Sequence, residues 1–171
     1  MGHREHRRKG PRSVPCAVVT VSDTRDETTD GSGRLICKAL ARAGHPVVDY
    51  RILRDDARAI ARHLHGLARR RSPARVVLIT GGTGLAPRDR TYEAVSGMLE
   101  KRLDGFGEMF RMLSFRRIGS SAMLSRAVAG TWRGRMIFSL PGSEPAVRLA
   151  LSRLILPELR HVAGLLSETR R

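Results

Sequence analysis

A strand that is apolar on both faces and ends in glycines is the feature that most constrains the fold of this chain. Residues 76–80 read VVLIT, and they are followed at once by Gly81, Gly82, Thr83 and Gly84. A strand without a polar face belongs in the interior of a parallel sheet, where helices cover both sides. The sequence therefore predicts a buried strand that leads directly into backbone with few side chains.

Four short β-rich runs alternate with helical patterns along the chain. The runs are Cys16–Val21, Val47–Leu53, Val76–Thr80 and Met136–Leu140. Helical patterns lie at 35–43, after an N-cap at Asp56, from Thr91 to Leu99, at 108–113, at 121–129 and after a cap at Ser143. Strands that alternate with helices of this length form crossover units. The prediction is an α/β fold, a three-layer α/β/α sandwich with a mostly parallel sheet.

The length and composition favour one domain. With 171 residues, 41% of them hydrophobic and 28% charged, the chain can bury a core of ordinary size. We expect a single domain over residues 14–171, preceded by a basic, disordered tail over residues 1–13. A membrane helix needs ~20 consecutive apolar residues, and a secretory signal needs a shorter apolar run. The sequence predicts neither kind of segment, so we expect a cytoplasmic protein with no membrane partner. Cys16 and Cys37 sit in apolar contexts and are predicted to be buried thiols.

The net charge of +16 raises the question of a nucleic-acid partner. Basic proteins release counterions from phosphate backbones when they bind nucleic acid. Here the basic residues are spread along the chain, and aromatic residues make up only 4%, too few for a stacking platform. We expect no specific nucleic-acid binding, and an acidic small substrate accounts for part of the charge equally well.

Polar clusters follow each of the four predicted strands. Ser22-Asp23 follows the first strand and Arg54-Asp55-Asp56 the second. The segment Gly81–Gly84, called the glycine loop below, follows the third strand, and Pro141-Gly142-Ser143 follows the fourth. In a doubly wound sheet, ligands bind beyond the carboxyl ends of the strands, so we expect these clusters on one rim of the sheet.

The glycine loop and a nearby carboxylate suggest a phosphate with its metal ion. Glycines let a phosphate approach backbone N–H groups and tolerate the positive φ that turns successive N–H groups toward one anion. Asp89 follows the loop between two arginines. A carboxylate near bound phosphates makes electrostatic sense with a cation between them, and Mg²⁺ prefers such oxygen ligands. Asp55 is the candidate second ligand, and a tight strand-to-helix turn is the alternative interpretation of the glycines.

Other phosphate and catalytic motifs do not fit the sequence. It contains no G-x-x-x-x-G-K-[ST], which excludes a P-loop. Gly31-Ser32-Gly33 opens a helix, but Ile36 occupies the third glycine position of a dinucleotide motif. His63 and His65 point to different faces of a predicted helix, which favours a solvated face over a metal site.

Longer stretches of the sequence resemble one family. The segments AVVTVSDTR, TGGTGLAPRDRTYEAV, GFGEMFRMLSFRRIGSSAMLSRAVAG and FSLPGSEPAVRLAL are similar, in this order, to the MoaB/Mog family of molybdenum-cofactor biosynthesis proteins. The resemblance covers about residues 15–157. It implies a molybdopterin-binding-domain-like α/β sandwich, usually assembled as a trimer or a pair of trimers. It also implies molybdopterin adenylyl transfer, in which the terminal phosphate of the pterin attacks the α-phosphate of Mg-ATP and pyrophosphate is released.

The resemblance also implies roles for individual residues. Asp89 would be catalytic and a Mg²⁺ ligand, with Asp55 as its companion, while the glycine loop (Gly81, Gly82, Thr83 and Gly84) would bind the phosphates of ATP. Pterin and substrate binding would involve Ser22, Asp23, Glu108, Ser120, Ser121, Pro141, Gly142 and Ser143. Ser120 and Ser121 would act from a helix N-terminus, and simple helix capping is their alternative role.

The chain departs from the family pattern at two points. Thr91-Tyr92-Glu93 stands where the family commonly has Thr-Pro-Glu, and the proline after Pro-Gly-Ser comes one place late, at Pro145. The same domain occurs in a related insertase and in members without detectable transferase activity. A non-catalytic molybdopterin carrier of the same pathway is therefore the alternative function. The implied partners are molybdopterin, ATP, other enzymes of the pathway and further copies of the chain, as a homotrimer or hexamer.

Overall fold

The computed structural model describes residues 10–69 and 72–168, and these residues form a six-stranded sheet with helices on both faces. The strands are β1 Cys16–Val21, β2 Val47–Leu53, β3 Val76–Thr80, β4 Lys101–Arg102, β5 Val128–Trp132 and β6 Arg135–Leu140. The helices are α1 Gly31–Arg42, α2 Ala57–Arg69, α3 Thr91–Ser96, α4 Asp104–Ile118, α5 Glu144–Ala150 and α6 Leu156–Glu168. A 3₁₀ helix, Gly119–Leu124, follows α4, and a π-helical segment, Leu151–Ile155, joins α5 to α6. Within this part of the chain, no helix has the length and apolar character needed to cross a membrane.

The sheet is mostly parallel, as predicted. Its strands lie in the order β2-β1-β3-β6-β5-β4. β1, β2, β3 and β6 run parallel, whereas β5 is antiparallel to both β6 and β4. β3 lies between β1 and β6, with Val76 opposite both Cys16 and Met136. The α/β class and the mostly parallel sheet are confirmed.

β3 lacks a polar face because it separates two hydrophobic clusters. Val76 and Leu78 join one cluster, to which α1, α4, α5 and α6 also contribute. Val77 and Ile79, which point the other way along the strand, join a second cluster with residues of α2 and α3. The resulting three layers, helices over sheet over helices, account for the uninterrupted apolar run that the sequence shows.

One predicted helix is wrong, and two strands were not predicted. The pattern at 121–129 predicts a helix, but the 3₁₀ helix ends at Leu124 and β5 begins at Val128. A Cβ at Gly130 would lie 2.3 Å from the carbonyl oxygen of Lys101, so β5 approaches β4 more closely than a side chain permits. Strand pairing therefore overrides the local helical preference. β4 has only two residues, too few to show a periodicity.

The predicted helix ends agree with the structure in part. The N–H of Arg58 donates to Asp56 Oδ1 at 2.9 Å, which confirms the predicted cap of α2. α3 ends at Ser96, three residues before the predicted end. Ser143 precedes α5, but among the described residues its side chain makes no capping hydrogen bond. The single long helix predicted after Ser143 is divided into α5, the π-helical segment and α6.

The first described residues contact the folded domain. Arg160 Nε donates to the carbonyl oxygen of Pro11 at 2.9 Å, and Ser13 Oγ donates to that of Gly44 at 2.9 Å. Residues 1–9 of the predicted tail lie outside the described residues, so their disorder stays a prediction. Pro11 and Ser13, which the prediction also assigned to the tail, contact α6 and the turn after α1.

The two cysteines differ in burial. Cys16 is fully buried in β1, and burial raises the pKa of its thiol to about 12. Cys37 on α1 is only half-buried, and burial is again the largest cause that raises the pKa of its thiol. The prediction of a buried thiol is confirmed in full for Cys16 and in part for Cys37.

We predict that truncating a side chain of β3 destabilises the whole domain. Leu78 is fully buried, so Leu78→Ala leaves a cavity and lowers the free energy of unfolding by about 2–5 kcal/mol. Leu165→Ala makes the same change at a half-exposed position of α6 and costs less than about 1 kcal/mol. Urea titrations of both variants measure the difference, and equal losses would contradict the central position of β3.

Candidate functional site

The polar clusters that follow four strands lie on one rim of the sheet, as predicted. β1, β2, β3 and β6 are parallel, so their carboxyl ends share one edge. The N–H of Ser22 donates to the carbonyl oxygen of Leu53 at 2.8 Å, which joins the segments that follow β1 and β2. The N–H of Gly81 donates to the carbonyl oxygen of Leu140 at 3.1 Å, which joins the end of β3 to the end of β6.

The first two glycines of the glycine loop are required by close packing. Gly81 has φ +98°, and a Cβ there would lie 2.2 Å from the carbonyl oxygen of Val21. Gly82 has φ +62°, and its Cβ would lie 2.4 Å from Asp55 Oδ2. Such φ values strain residues that carry a side chain. The N–H of Gly81 is used within the sheet, so Gly81 shapes the turn without offering a free donor.

Asp55 lies against the glycine loop in an environment that opposes its negative charge. Its Oδ1 accepts the N–H of Arg90 at 3.0 Å, and its own N–H donates to Asp23 Oδ1 at 3.2 Å. Burial is the largest cause that raises the pKa of the Asp55 carboxyl, and the charges of Asp89 and Asp23 raise it further. The Arg90 N–H lowers it in part. Asp55 therefore stands beside other carboxylates with little positive charge to balance it.

Asp89 approaches the same loop from its other end. A Cβ on Gly84 would lie 2.4 Å from Asp89 Oδ2, and the N–H of Ala86 donates to that oxygen at 3.2 Å. Asp55 and Asp89 therefore flank the loop, one against Gly82 and the other against Gly84. The structure brings together the two carboxylates that the sequence singled out.

The Pro141-Gly142-Ser143 segment packs against the base of the glycine loop. Thr80 Oγ1 donates to the carbonyl oxygen of Pro141 at 3.0 Å, and Ser32 Oγ donates to that of Gly142 at 2.7 Å. A Cβ on Gly142 would lie 3.2 Å from the Cα of Gly81. Two side-chain hydroxyls and one close contact between backbones therefore hold this segment on the rim.

The remaining predicted residues do not all meet there. Ser22 Oγ accepts the N–H groups of Thr24 at 3.3 Å and Arg25 at 3.2 Å, so it shapes its own loop, and Asp23 is exposed beside it. Ser120 and Ser121 are exposed on the 3₁₀ helix that continues from α4. They lie in the first turn of this 3₁₀ helix, so the predicted position at a helix N-terminus is confirmed only for that short helix, and their role in binding stays a prediction.

Glu108 lines a small polar cavity near the glycine loop. The cavity has a volume of about 270 Å³, and its walls include Glu108, Arg102, Arg111, Ser125 and Arg126. Ser125 Oγ is buried there and makes no hydrogen bond within the described part of the chain. The cavity is therefore suited to a polar group that can satisfy this hydroxyl.

Arg126 connects the cavity to the glycine loop, and sequence reasoning missed it. Its Nε donates to the carbonyl oxygen of Thr83 at 2.9 Å, and its terminal nitrogens donate to the carbonyl oxygen of Gly84 and to the carboxylate of Glu93. Its guanidinium carbon lies 4.8 Å from the centre of the Tyr92 ring. The hydrogen bond from Arg126 is the largest cause that lowers the pKa of Glu93. One arginine among many in this basic sequence carries no local signal that distinguishes it.

A second missed residue is a fully buried carboxylate behind the rim. Asp30 caps α1 through the N–H of Gly33 at 2.9 Å and accepts the hydroxyls of Thr20 at 2.5 Å and Tyr50 at 2.6 Å. Burial raises the pKa of Tyr50, and its hydrogen bond to Asp30 raises it further. Asp30 thereby ties α1 to β1 and β2. The sequence did offer one signal for Asp30, because this residue stands at a typical N-cap position before Gly31-Ser32-Gly33.

The charges of the rim suit a cation that arrives with a ligand. Among the residues that the structure describes, no group of three or more His, Cys, Asp or Glu side chains is arranged to hold a metal ion. Asp55 and Asp89 nevertheless flank the loop, and nearby carboxylates raise the pKa of Asp55. Mg²⁺ is usually held by one or two carboxylates together with substrate phosphates and waters. The two aspartates fit that pattern better than a complete protein cage.

Comparison with known proteins gives one consistent result. Residues 17–161 match the family model described as "Probable molybdopterin binding domain". The Molybdenum cofactor biosynthesis protein B of Bacillus anthracis is 50% identical over 163 residues, which span 95% of this chain and 96% of that protein.

Solved structures of related proteins share the fold. A crystal structure of a Molybdenum cofactor biosynthesis protein B matches with a TM-score of 0.88 at 50% identity, covering 92% of this chain and 98% of the other. The tungsten cofactor synthesizing protein MoaB from Pyrococcus furiosus matches with a TM-score of 0.81 at 37% identity, covering 94% and 99%. The similarity therefore extends over nearly the full length of both chains.

We predict that neutralising Asp55 stabilises the protein at neutral pH. The pKa of the Asp55 carboxyl is raised in the folded state from its ordinary value of 3.8. Ionisation of Asp55 therefore lowers the free energy of unfolding at pH values above the raised pKa and has no effect at pH values well below 3.8. Asp55→Asn keeps an oxygen that can accept the Arg90 N–H. It should raise the melting temperature at pH 7. The gain should shrink as the pH falls below the raised pKa, because the Asp55 carboxyl of the wild-type protein then becomes protonated.

The control for this prediction is the next residue in the chain. Asp56→Asn removes the same charge from an exposed side chain and keeps the acceptor that caps α2. Melting curves of both variants across acidic and neutral pH give the comparison. A gain that is equal in the two variants, or that grows toward low pH, would contradict the burial and repulsion argued for Asp55.

Proposed function

Because the chain belongs to the MoaB/Mog family of molybdenum cofactor biosynthesis proteins, we propose that it binds molybdopterin and transfers AMP to it from Mg-ATP. The pathway is shared with relatives that are about half identical over nearly the full chain. The adenylyl transfer is our inference, and the flanking of the glycine loop by Asp55 and Asp89 is the observation that carries it. The reaction belongs in the cytoplasm, where ATP is available.

The two carboxylates support a role for magnesium. Burial and the charges of Asp89 and Asp23 raise the pKa of the Asp55 carboxyl. A positive charge placed here therefore relieves the repulsion between these carboxylates. Asp55 and Asp89 are the residues that would hold Mg²⁺. When bound, the ion supplies positive charge to the triphosphate oxygens of ATP.

The remaining chemistry requires positioning more than reactive side chains. An oxygen of the pterin's terminal phosphate forms a bond to the α-phosphorus of ATP, and the bond from that phosphorus to the leaving pyrophosphate breaks. Charge spreads over the phosphate oxygens in such transfers, and backbone N–H groups of the glycine loop would hold those oxygens. No covalent intermediate with the protein is needed.

The pterin is assigned to the other side of the rim. Pro141-Gly142-Ser143 packs against the base of the glycine loop, and the cavity beside Glu108 offers a buried hydroxyl that needs a partner. We propose these two places as the pterin side of the site; Ser22 and Asp23, which are also proposed to bind the pterin, lie after β1 beside Asp55. Ser120 and Ser121 lie on the exposed 3₁₀ helix and would serve only at the outer edge.

The decisive test is direct detection of the product. The purified protein is incubated with molybdopterin and Mg-ATP, and the pterin is examined by mass spectrometry for the added adenylyl group. We expect adenylyl-molybdopterin and pyrophosphate, and we expect neither when a chelator removes Mg²⁺. Tight pterin binding without any adenylylated product would replace this proposal with that of a molybdopterin carrier in the same pathway.

We predict that Asp89→Asn separates catalysis from binding. The substitution keeps the shape of the side chain and removes its charge. It should lower kcat by about 100- to 1,000-fold, the scale for loss of one preorganised electrostatic group. Molybdopterin affinity should change little, because the pterin contacts lie elsewhere on the rim. Glu158→Gln, which removes a carboxylate on α6, serves as the control with unchanged kcat; equal losses in both variants would count against a local role for Asp89.

An exposed apolar face supports self-association as the proposed trimer or hexamer. Met109, Met112, Phe115 and Ile118 recur every three residues along α4, and Met123 and Leu124 extend the row onto the 3₁₀ helix. Phe115 is 62% exposed and Met123 is 76% exposed in the single chain. Large contiguous apolar patches mark interaction sites in soluble proteins. We propose that further copies of this chain cover the face.

We predict that one charge on this face blocks assembly. Phe115→Glu places a carboxylate where apolar contacts are expected, and it should convert the oligomer to a monomer. Leu165→Glu makes a similar change on α6, outside the face, and should leave the assembly intact. Light scattering at micromolar concentration measures both masses. A wild-type protein that is monomeric under these conditions would remove the oligomer from the proposal.

A further inference from the structure

We propose that Arg126 is a positioning residue that aims the backbone N–H groups of Gly84 and Leu85 at a phosphate of ATP. The inference rests on the proposed function, because it concerns the same nucleotide site. Its basis is the set of contacts made by one guanidinium group with two successive carbonyl groups of the glycine loop.

The geometry of the peptide bond gives the direction of these N–H groups. Arg126 Nε donates to the carbonyl oxygen of Thr83 at 2.9 Å, and a terminal nitrogen donates to the carbonyl oxygen of Gly84. In a trans peptide the C=O and the N–H of the same unit point in opposite directions, and no cis peptide occurs in the described residues. The Thr83 carbonyl shares its unit with the Gly84 N–H, and the Gly84 carbonyl shares its unit with the Leu85 N–H. Both N–H groups therefore point away from the arginine.

These two donors are available to a ligand. Within the described part of the chain, the N–H groups of Gly84 and Leu85 make no hydrogen bond to a protein acceptor, and the next donor along, Ala86, is bound to Asp89. The N–H of Gly81 is already used by Leu140. Gly84 and Leu85 thus offer two successive donors beside the Asp89 carboxylate. Successive N–H groups of this kind form an anion site.

The guanidinium is itself held in place from two further directions. Its remaining terminal nitrogen donates to Glu93, and its face lies over the ring of Tyr92. The side chain is 21% exposed, and the next residues enter β5. Each of its three nitrogens donates to a protein group, so Arg126 is held against the loop and Glu93. Its effect on the ligand is exerted through the loop.

A lysine cannot reproduce this arrangement. An ammonium group is a point donor, whereas the planar guanidinium donates along fixed directions to two carbonyls and a carboxylate at once. Arg126→Lys should therefore restore only part of what Arg126→Ala loses. The predicted order of affinity for magnesium pyrophosphate, used as the probe, is wild type, then the lysine variant, then the alanine variant. The loss in Arg126→Ala should be about tenfold or more.

The experiment follows the Gly84 amide directly. In wild-type protein labelled with ¹⁵N-glycine, magnesium pyrophosphate should shift the Gly84 amide signal and leave that of Gly44, in the turn after α1, unchanged. In Arg126→Ala the Gly84 shift should require at least about tenfold more ligand. Millimolar guanidinium should restore the wild-type response of this amide, and an equal concentration of sodium should not.

Arg62→Ala, which removes the same charge from the exposed face of α2, should behave as wild type. For adenylyl transfer, Arg126→Ala should raise KM for ATP more than it lowers kcat.

Each result decides between the alternatives. If Arg126→Ala binds the probe within about twofold of wild type, or if the Gly84 amide does not respond in wild type, the inference is wrong. If the amide responds and the arginine dependence holds while no adenylylated pterin forms, the inference stands and the proposed function fails. Should the alanine variant not fold, Glu93→Ala removes the carboxylate that holds one side of the guanidinium and should weaken probe binding without unfolding the domain; unchanged binding in that variant would overturn the inference.

Discussion

Close approach of backbones at the end of β3 is the constraint on which the rest of the site depends. Gly81 leaves no room for a Cβ beside the carbonyl of Val21, and Gly142 stands nearly in contact with Gly81 from the other side. Because neither position carries a side chain, the ends of β1, β3 and β6 converge, and the segments after them share one rim. Further along the same loop, the N–H of Gly84 makes no hydrogen bond to a protein acceptor within the described residues. Packing therefore requires glycine at Gly81 and Gly142, and the proposed phosphate site would favour the same residue type in this loop.

Two aspartates near this point show how environment separates structural from functional carboxylates. Asp30 is fully buried and accepts hydrogen bonds from Thr20, Tyr50 and Gly33, so its charge is satisfied within the protein. Asp55 is only partly buried, yet its pKa is raised, because burial and neighbouring carboxylates outweigh the lowering by the Arg90 N–H and the Thr91 hydroxyl. A carboxylate whose charge is not balanced lowers the stability of the ligand-free protein. Such a cost is usual at a site that must hold charge for a ligand. Asp30 ties the fold together, whereas Asp55 suits a cation.

The sequence predicts the parallel half of this molecule far better than its antiparallel edge. Apolar runs such as VVLIT identify β1, β3 and β6, since a strand buried on both faces leaves a local pattern. β2 is an edge strand without a fully buried residue, and its β-rich composition predicts it instead. The rim residues follow from strand direction alone. β5 could not be predicted in this way, because its pairing with β4 and β6 opposes the helical preference of the residues before it. Arg126 could not be predicted either, since its partners Thr83 and Glu93 are far from it in sequence.

The arginine-rich composition has a structural use in this fold that does not involve nucleic acid. Arg135 is buried and donates to the carbonyl oxygens of Leu67 at 3.2 Å and Ser72 at 3.3 Å, which fastens the end of α2 to β6. Arg160 holds the carbonyl of Pro11, and Arg126 holds two carbonyls of the glycine loop. Guanidinium groups suit this task because they donate several hydrogen bonds in one plane and stay charged when half-buried. An ammonium group is less suited on both counts. Part of the net charge of +16 therefore reflects arginines that join backbone segments distant in sequence, and the exposed remainder would favour the anionic substrates proposed above.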